Sequence, residues 1–343
     1  MGKKSIHDVA KRAGVSIKTV SRVINNEPNV RDKTRTVVQK AIKELNYRPN
    51  ASARSLKGRR SYLVGLLYDN PSSSYVARVQ QGVIDETRRR GYDLVIHPCH
   101  YLDPNLIDEV EALVRHANAD GLILTPPLSD DMKLMEKLDE LKTPYVRIGA
   151  VEPKEGSAVV TTNDRDAVAD LTRYLASLGH THIGFIVGHA DHKAVANRYL
   201  GYQDGLRSCG LKLNEEIVMQ GNNSYESGEE CARKLLLHKN PPSAIIASND
   251  DMATGVMRVS HEMKLDLPED LSVAGFDDIP MASQVWPSLT TVRQPVKRMG
   301  ERATALLLDQ LHSEPPALQS ESIDSFLVLR ESTGEVKNRH NTG

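Results

Sequence analysis

Apolar residues in the first fifty positions recur with a helical period. Ile6, Val9, Ala10 and Ala13 stand at i, i+3, i+4 and i+7 and line one face of a helix. Ser5, with Asp8 three residues on, forms an N-cap box at its start, and Gly14 supplies the left-handed residue at which such a helix stops. Ser16 then caps a second helix whose Val20, Val23 and Ile24 point back to the core, leaving Ile17, Lys18, Ser21, Arg22 and Asn25 outside. Val38, Ala41, Ile42 and Leu45 make a third stripe, ended by Asn46-Tyr47-Arg48-Pro49. The pattern predicts a small all-α unit with a helix-turn-helix at its front.

From Ser61 the period changes. Short apolar runs at 63–68, 93–96, 121–125, 145–149, 183–187, 244–247 and 272–276 read as buried parallel strands. Amphipathic stretches between them, at 76–90, 106–117, 165–178, 198–209, 227–237 and 251–262, read as helices. This alternation predicts an α/β core with parallel sheets in two lobes, and ligands of such folds sit beyond the carboxyl ends of the strands. Polar residues gather there: Asp69-Asn70, Arg198, Asn249-Asp250-Asp251 and Asp277-Asp278 each follow a predicted strand. Carboxylates, amides and an arginine donate and accept in pairs, which suits vicinal hydroxyls. Asp250 and Asp251 also read as helix caps, so both roles stay open for them.

Charge separates the two parts. Residues 1–60 hold 16 Lys and Arg against 4 Asp and Glu, and the remainder holds 28 against 41. The near-neutral total of -1 hides a basic front end that would release counterions from a phosphate backbone. A basic tail on an enzyme is the plainer alternative, but a tail needs no capped, phased helices.

Other chemistry finds little support. His97, Cys99 and His100, or His180 and His182, lack the matched spacing of metal ligands, so no metal and no cofactor is expected. Cys99, Cys209 and Cys231 form no disulfide framework and point to a reducing cytoplasm. The chain contains no Gly-x-Ser-x-Gly elbow, P-loop or dinucleotide fingerprint, so it is not read as an enzyme. Lys3-Lys4 and an amphipathic helix open it where an exported protein would carry an apolar leader, and no run of about 18 apolar residues follows. The expectation is a soluble cytoplasmic protein with no membrane partner.

On these residues the sequence resembles the lactose-repressor/galactose-repressor (LacI/GalR) family of bacterial transcription regulators, from the helix-turn-helix at residue 5 to about residue 333. The resemblance implies a helix-turn-helix head at 1–48, a hinge at 49–60 and a periplasmic-binding-protein-like core. One core lobe would comprise 61–160 plus 292–321 and the other 161–291 plus 322–333, with crossings near 160, 291 and 322 and a polar tail at 334–343. It places Ile17, Lys18 and Arg22 against base edges, with Lys18 suited to guanine and Ile17 to a thymine methyl. Ser5, His7, Ser16, Thr19, Ser21, Asn25, Asn29, Arg31 and Thr34 would contact phosphates. Arg31 replaces a small hydroxyl residue common in the family, adding charge and weakening a helix cap. In the hinge, Leu56 matches a leucine that wedges into a minor-groove base step, with Asn50 and Ala53 packed beside it; away from DNA the same stretch reads as a flexible linker.

For the effector, the resemblance implies contacts from Arg198, Asn249, Asp277 and Gln294, with Tyr75 packed on the ligand and Asp69 and Asp164 as further candidates. Asn223 stands where the family often has an aromatic, which favours a polar ligand over a flat purine. The implied protein is a homodimer without a tetramerisation helix, binding a double-stranded pseudo-palindromic operator. It would repress a carbohydrate uptake or catabolic operon until a small polar, sugar-type effector releases it. The alternatives are a corepressor-type or activating regulator responding to a sugar phosphate or nucleobase, a cytosolic sugar-binding protein, or an enzyme that turns its ligand over. Leu56→Ala is expected to weaken operator binding in a fluorescence anisotropy titration while leaving effector affinity unchanged; equal loss of both would count against the wedge.

Overall fold

The structure, a computed structural model, describes residues 4–24, 29–45, 47, 60–313 and 318–336. The expected hinge contacts Asn50, Ala53 and Leu56, the head contact Asn25 and most of the polar tail lie outside these residues. The chain divides into two compact units, Met1–Tyr62 and Leu63–Gly343.

The first unit contains helices α1 (Ile6–Ala13), α2 (Ile17–Ile24) and α3 (Asp32–Glu44). Val9, Val20 and Val38 are fully buried where the three meet, as the apolar stripes require. The Asp8 carboxylate accepts from the Ser5 N–H at 2.8 Å while the Ser5 hydroxyl receives the Asp8 N–H, completing a reciprocal cap. Gly14 leaves α1 at φ +64°, a conformation open to it without Cβ strain. Ser16 Oγ receives the Thr19 N–H at 3.1 Å and starts the next helix. Arg31 precedes α3 without a side-chain cap, so the first N–H groups of that helix receive no hydroxyl or carboxylate from it.

The second unit is built from two six-stranded sheets. The first lobe contains β1 (Leu63–Tyr68), α4 (Ser73–Arg90), β2 (Asp93–Pro98), α5 (Leu106–His116), β3 (Gly121–Leu124), α6 (Met132–Glu140), β4 (Tyr145–Ile148) and β5 (Ala158–Thr162). The second contains α7 (Asp164–Ser177), β6 (Ile183–Val187), α8 (Lys193–Ser208), β7 (Val218–Gln220), α9 (Tyr225–Leu236), β8 (Ala244–Ala247), α10 (Asp250–Glu262), β9 (Ser272–Phe276) and β10 (Thr290–Arg293). The chain then returns for α11 (Val296–His312) and β11 (Glu321–Ile323) and ends on β12 (Phe326–Val328). The strand orders are β2-β1-β3-β4-β5-β11 and β7-β6-β8-β9-β10-β12. All pairings are parallel except β10 with β12. Each sheet therefore has a switch point, between β1 and β3 and between β6 and β8, where the flanking connections leave on opposite faces and open a crevice.

The lobe boundaries fall later than the resemblance implied. The chain crosses at Asn163, at Gln294-Pro295 and at Asp324-Ser325, because Thr161 and Thr162 still pair with β11, and Val292 and Arg293 with β12. Polar residues end these strands, so the apolar runs stop short of the ladders. For the same reason β5, β10 and β11, strands of mixed polarity, had no apolar run to announce them, while β7 and the apolar Phe326-Leu327-Val328 of β12 are edge strands only three residues long. Helices α6 and α11 also lie outside the predicted stretches. A further correction concerns α8, expected to begin at Arg198: it begins at Lys193, so Arg198 stands inside the helix. His192 precedes it without a side-chain cap bond, which left no start signal to read.

Helices pack closely through glycines. A Cβ at Gly82 in α4 would lie 2.0 Å from the Lys297 carbonyl oxygen of α11, and one at Gly228 in α9 would lie 2.3 Å from the Met252 carbonyl of α10. Backbone cannot yield there as a flexible side chain could. Gly82→Ala should push α4 from α11 and cost on the order of 1–3 kcal/mol, read as a lower denaturant midpoint with an unchanged slope.

Candidate functional site

The carboxyl ends of both sheets face a common cleft, lined from the first lobe by the β1–α4 turn and the loops after β3 and β4, and from the second by the ends of β6, β8 and β9. At its base lies Arg198, 8% exposed, carried inward by α8. Its Nε donates to Asp164 Oδ2 at 2.9 Å, Nη1 donates to the Ser248 carbonyl at 2.6 Å, and its Cζ stacks 3.8 Å from the Phe276 ring centroid. Burial opposes this charge, yet Asp164 and Asp277 more than offset it and raise the guanidinium above its ordinary pKa.

The two carboxylates are not equivalent. Asp164 holds the guanidinium directly and also receives Thr162 Oγ1 and, at 3.3 Å, Gln294 Nε2. Asp277 stands 3.8 Å from Arg198 Nη2, beyond hydrogen-bond distance, and its buried Oδ1 accepts no hydrogen bond among the described residues. Burial pushes its carboxyl up to about 7; Arg198 opposes this, while Asp251 and Asp164 add to it. Its backbone is also held at φ +110°, a region that a non-glycine residue occupies only when its surroundings enforce it. Both partners' pKa values are thus raised, and the physical reason is that Arg198 is satisfied chiefly by Asp164, leaving Asp277 as the spare negative group.

The other expected residues divide. Gln294, at the second crossing, donates to Asp164 and Thr162 and keeps a buried, unsatisfied Oε1. Tyr75 is buried in the cleft wall, where burial, then Asp277, hold its phenol far above the usual range. Asn249 lines the cleft, but its Oδ1 caps α10 through the Met252 N–H and its Nδ2 donates to the Asn223 carbonyl. Asn223 adopts φ +68°, with its Oδ1 buried where a Cβ of Gly188 would be. Asp69 does not line the cleft: its carboxylate receives the Tyr101 N–H at 2.9 Å, a loop contact that only the fold reveals. Asp250 takes the structural role, fully buried and bonded to Thr291 Oγ1 and the Ile279 N–H.

Sequence reading missed His192, Ser72, Arg78, Lys193 and Tyr101. His192 is buried in the cleft wall, and burial, then His189, push its imidazole down to about 4, so it is neutral at pH 7. Asn70 Oδ1 receives the Ser72 N–H, and Ser72 Oγ donates across the cleft to Asp251 at 2.6 Å. Arg78 of α4 reaches the opposite lobe too, donating to the carbonyls of Asp277 and Asp278 at 3.2 and 2.8 Å. At the mouth, Lys193 bonds Glu152 at 2.8 Å and Tyr101 bonds Asp191. The only sequence signal for His192 is its place in the strand-to-helix turn that precedes α8. His180, set aside as a metal ligand, bonds Ser243, Ser272 and the Gly334 carbonyl.

In the first unit, Ile17, Lys18 and Arg22 lie on the exposed side of α2, with Ser5, His7, Ser16, Asn29 and Arg31 also exposed and Thr19, Ser21 and Thr34 half-buried. Ser5 and Ser16 already spend their hydroxyls on helix caps. No helix among the described residues is long and apolar enough to cross a membrane.

Residues 5–50 match the profile of bacterial regulatory proteins of the lacI family, and residues 172–333 match a periplasmic binding protein-like domain. The chain is 32% identical over 336 residues to the HTH-type transcriptional regulator DegA of Bacillus subtilis (strain 168), covering 97% of this chain and 99% of that protein. It is 34% identical over 335 residues to the HTH-type transcriptional repressor PurR of Erwinia tasmaniensis, covering 96% and 97%. Among solved structures, a complex of the transcriptional regulator CelR with cellobiose gives a TM-score of 0.74 at 30% identity, covering 96% of this chain and 100% of that one. A lac repressor dimer bound to operator and the anti-inducer ONPF gives 0.76 at 26% identity, covering 97% and 100%.

A buried carboxylate raised to about 7 costs stability as pH climbs from about 4 to 7, and the full cost, on the order of 4 kcal/mol, persists above. In ligand-free protein, Asp277→Asn should therefore raise Tm relative to the parent by an amount that is small at pH 5 and largest at pH 8. A difference independent of pH would mean that Asp277 is not the strained group.

Proposed function

The chain belongs to the lacI family of bacterial regulatory proteins and is a DNA-binding transcriptional regulator, and we propose that it represses a carbohydrate uptake or catabolic operon and is released by a sugar. The observation that carries this reading is the cleft: an arginine, two carboxylates and an amide converge at the carboxyl ends of opposed sheets, in a chain that also presents a basic helix-turn-helix. The cellobiose complex of the similar CelR supports a saccharide as the effector class.

As a homodimer, two copies of α2 would enter successive major grooves of a pseudo-palindrome, with Lys18, Ile17 and Arg22 at base edges and the hydroxyl and basic residues around them on phosphates. Asn25, Asn50, Ala53 and Leu56 keep the roles implied by the resemblance. In the cleft, Asp277 and Gln294 Oε1 would accept sugar hydroxyls, Arg198 Nη2 would donate to a hydroxyl oxygen, and Tyr75 would pack on the ring.

Signal transfer has a physical route. Ser72 to Asp251 and Arg78 to the Asp277 and Asp278 carbonyls join the lobes beside the ligand loop. A ligand that rearranges Asp277 would therefore bias how the lobes close. Coupling of about 1–3 kcal/mol suffices for roughly 5- to 150-fold operator release.

Fluorescence anisotropy on a palindromic operator from the gene's own neighbourhood, titrated with saccharides, tests this. Arg198→Ala should keep operator affinity within about twofold and abolish release. A saccharide that tightens binding would make the protein a corepressor-type regulator, and an Arg198→Ala protein that still responds at the same concentration would remove the site assignment.

A further inference from the structure

The charge and hydrogen-bonding state of the cleft bears on its ligand more narrowly than the word sugar does. Arg198 is the one Lys or Arg among the described residues lining the cleft, and Asp164 and Asp277 both face it. His192 is neutral at pH 7, so the lining is balanced while Asp277 holds its proton and net negative once Asp277 ionises near pH 7. The single cation is partly spent: Nε is held by Asp164, Nη1 by the Ser248 carbonyl, and one face of the guanidinium lies on Phe276, while Nη2 faces Asp277 at 3.8 Å.

Helix amino-termini are the other usual source of anion-binding donors, and here those of α9 and α10 are already engaged by side chains. Asn249 Oδ1 takes the Met252 N–H of α10, Ser224 Oγ takes the Ser227 N–H of α9, and Asn70 Oδ1 takes the Ser72 N–H ahead of α4. Asp164, Asp250 and Asp251 add carboxylates within the first turns of α7 and α10. Helices α4, α7, α8 and α11 begin at the cleft without a side-chain cap, α7 with Asp164 itself in its first turn and α8 beside Ala194 and Val195.

The vacant hydrogen-bonding capacity is of the opposite kind. Asp277 Oδ1, Gln294 Oε1 and Asn223 Oδ1 are buried acceptors without a hydrogen bond among the described residues, on residues 5%, 4% and 7% exposed. The Gln294 amide is oriented unambiguously, because its Nε2 faces the Asp164 carboxylate and Thr162 Oγ1. Buried acceptors of this kind, one of them on a carboxyl that ionises near pH 7, require donors to satisfy them.

Resting on the effector reading above, we infer that the cleft selects an uncharged, hydroxyl-rich ligand that donates to Asp277 and Gln294, and rejects the phosphorylated and acidic forms of the same sugars. A phosphate group placed there would meet the Asp277 carboxylate across a buried site of low dielectric, and its ionised oxygens donate to neither acceptor. Its binding should be weaker than that of the parent sugar by at least about 100-fold. The uncapped start of α8 supplies N–H groups for a ring or hydroxyl oxygen of the neutral ligand.

Charge selection can be tested before the ligand is identified. Small-molecule extract from bacteria grown on mixed saccharides is passed over an anion exchanger at pH 8, and the flow-through and the salt-eluted, desalted fraction are each added to the full-length protein. Operator anisotropy and Tm are read together, with hexose and hexose 6-phosphate pairs as defined probes. Release and a raised Tm from the flow-through alone, both lost in Asp277→Asn, are the expected result. Activity in the retained fraction, or a hexose phosphate binding as well as its hexose, overturns the charge selection while leaving the effector site standing. If neither fraction nor their recombination moves either readout, the effector reading itself falls, and the selection with it.

Discussion

A guanidinium held between two sheets is the constraint from which the cleft follows. Taking Arg198 out of water is costly unless its donors and its charge are met in place, and the fold meets them from distant parts of the chain. Asp164 arrives from the first crossing, the Ser248 carbonyl from the end of β8, and the Phe276 face from the end of β9. Strand ends, crossings and α8 must therefore be in register before the charge can be buried. The arrangement uses Asp164 fully and leaves Asp277 with a buried oxygen unmet, so the polar strain collects where a ligand can relieve it.

The same geometry links recognition to movement. Asp277 and Asp278 adopt positive φ directly after β9, and the carbonyls so turned outward receive Arg78 from the opposite lobe. Asp278 is anchored behind by Arg293 and Arg330, which confines adjustment to the cleft side of the loop. Close helix pairs, with Gly82 against Lys297 and Gly228 against Met252, stiffen each lobe. Under the proposed function, a ligand's effect would fall on the bonds that join the lobes, as packed elements move as bodies and convert small local shifts into switching.

Much of this was legible in sequence, and the limits were physical. Helical stripes around Val9, Val20 and Val38 marked the three-helix unit because amphipathic periodicity and capping are local properties. Buried central strands stood out as apolar runs, whereas β5, β10 and β11 mix polar and apolar side chains and β7 and β12 are three-residue edge strands. Among site residues, Arg198, Asp277, Gln294, Tyr75 and Asp164 come together in the cleft, while Asp69 turns to the Tyr101 backbone and Asn249 serves largely as a helix cap. His192 and Arg78 had no signal of their own, since their neighbours belong to other elements.

The sequence by itself determined the division into a basic helical head and an acidic α/β core, because charge, period and turn chemistry act over a few residues. It also set which polar side chains stand at strand ends. Which of those are consumed by capping, which carboxylate pairs with Arg198 and which is left for a ligand were decided only by the tertiary structure. Those outcomes depend on distances of a few ångströms between residues more than a hundred positions apart, such as Gln294 and Asp164. Burial there turns small differences in distance into the difference between a satisfied charge and an open one.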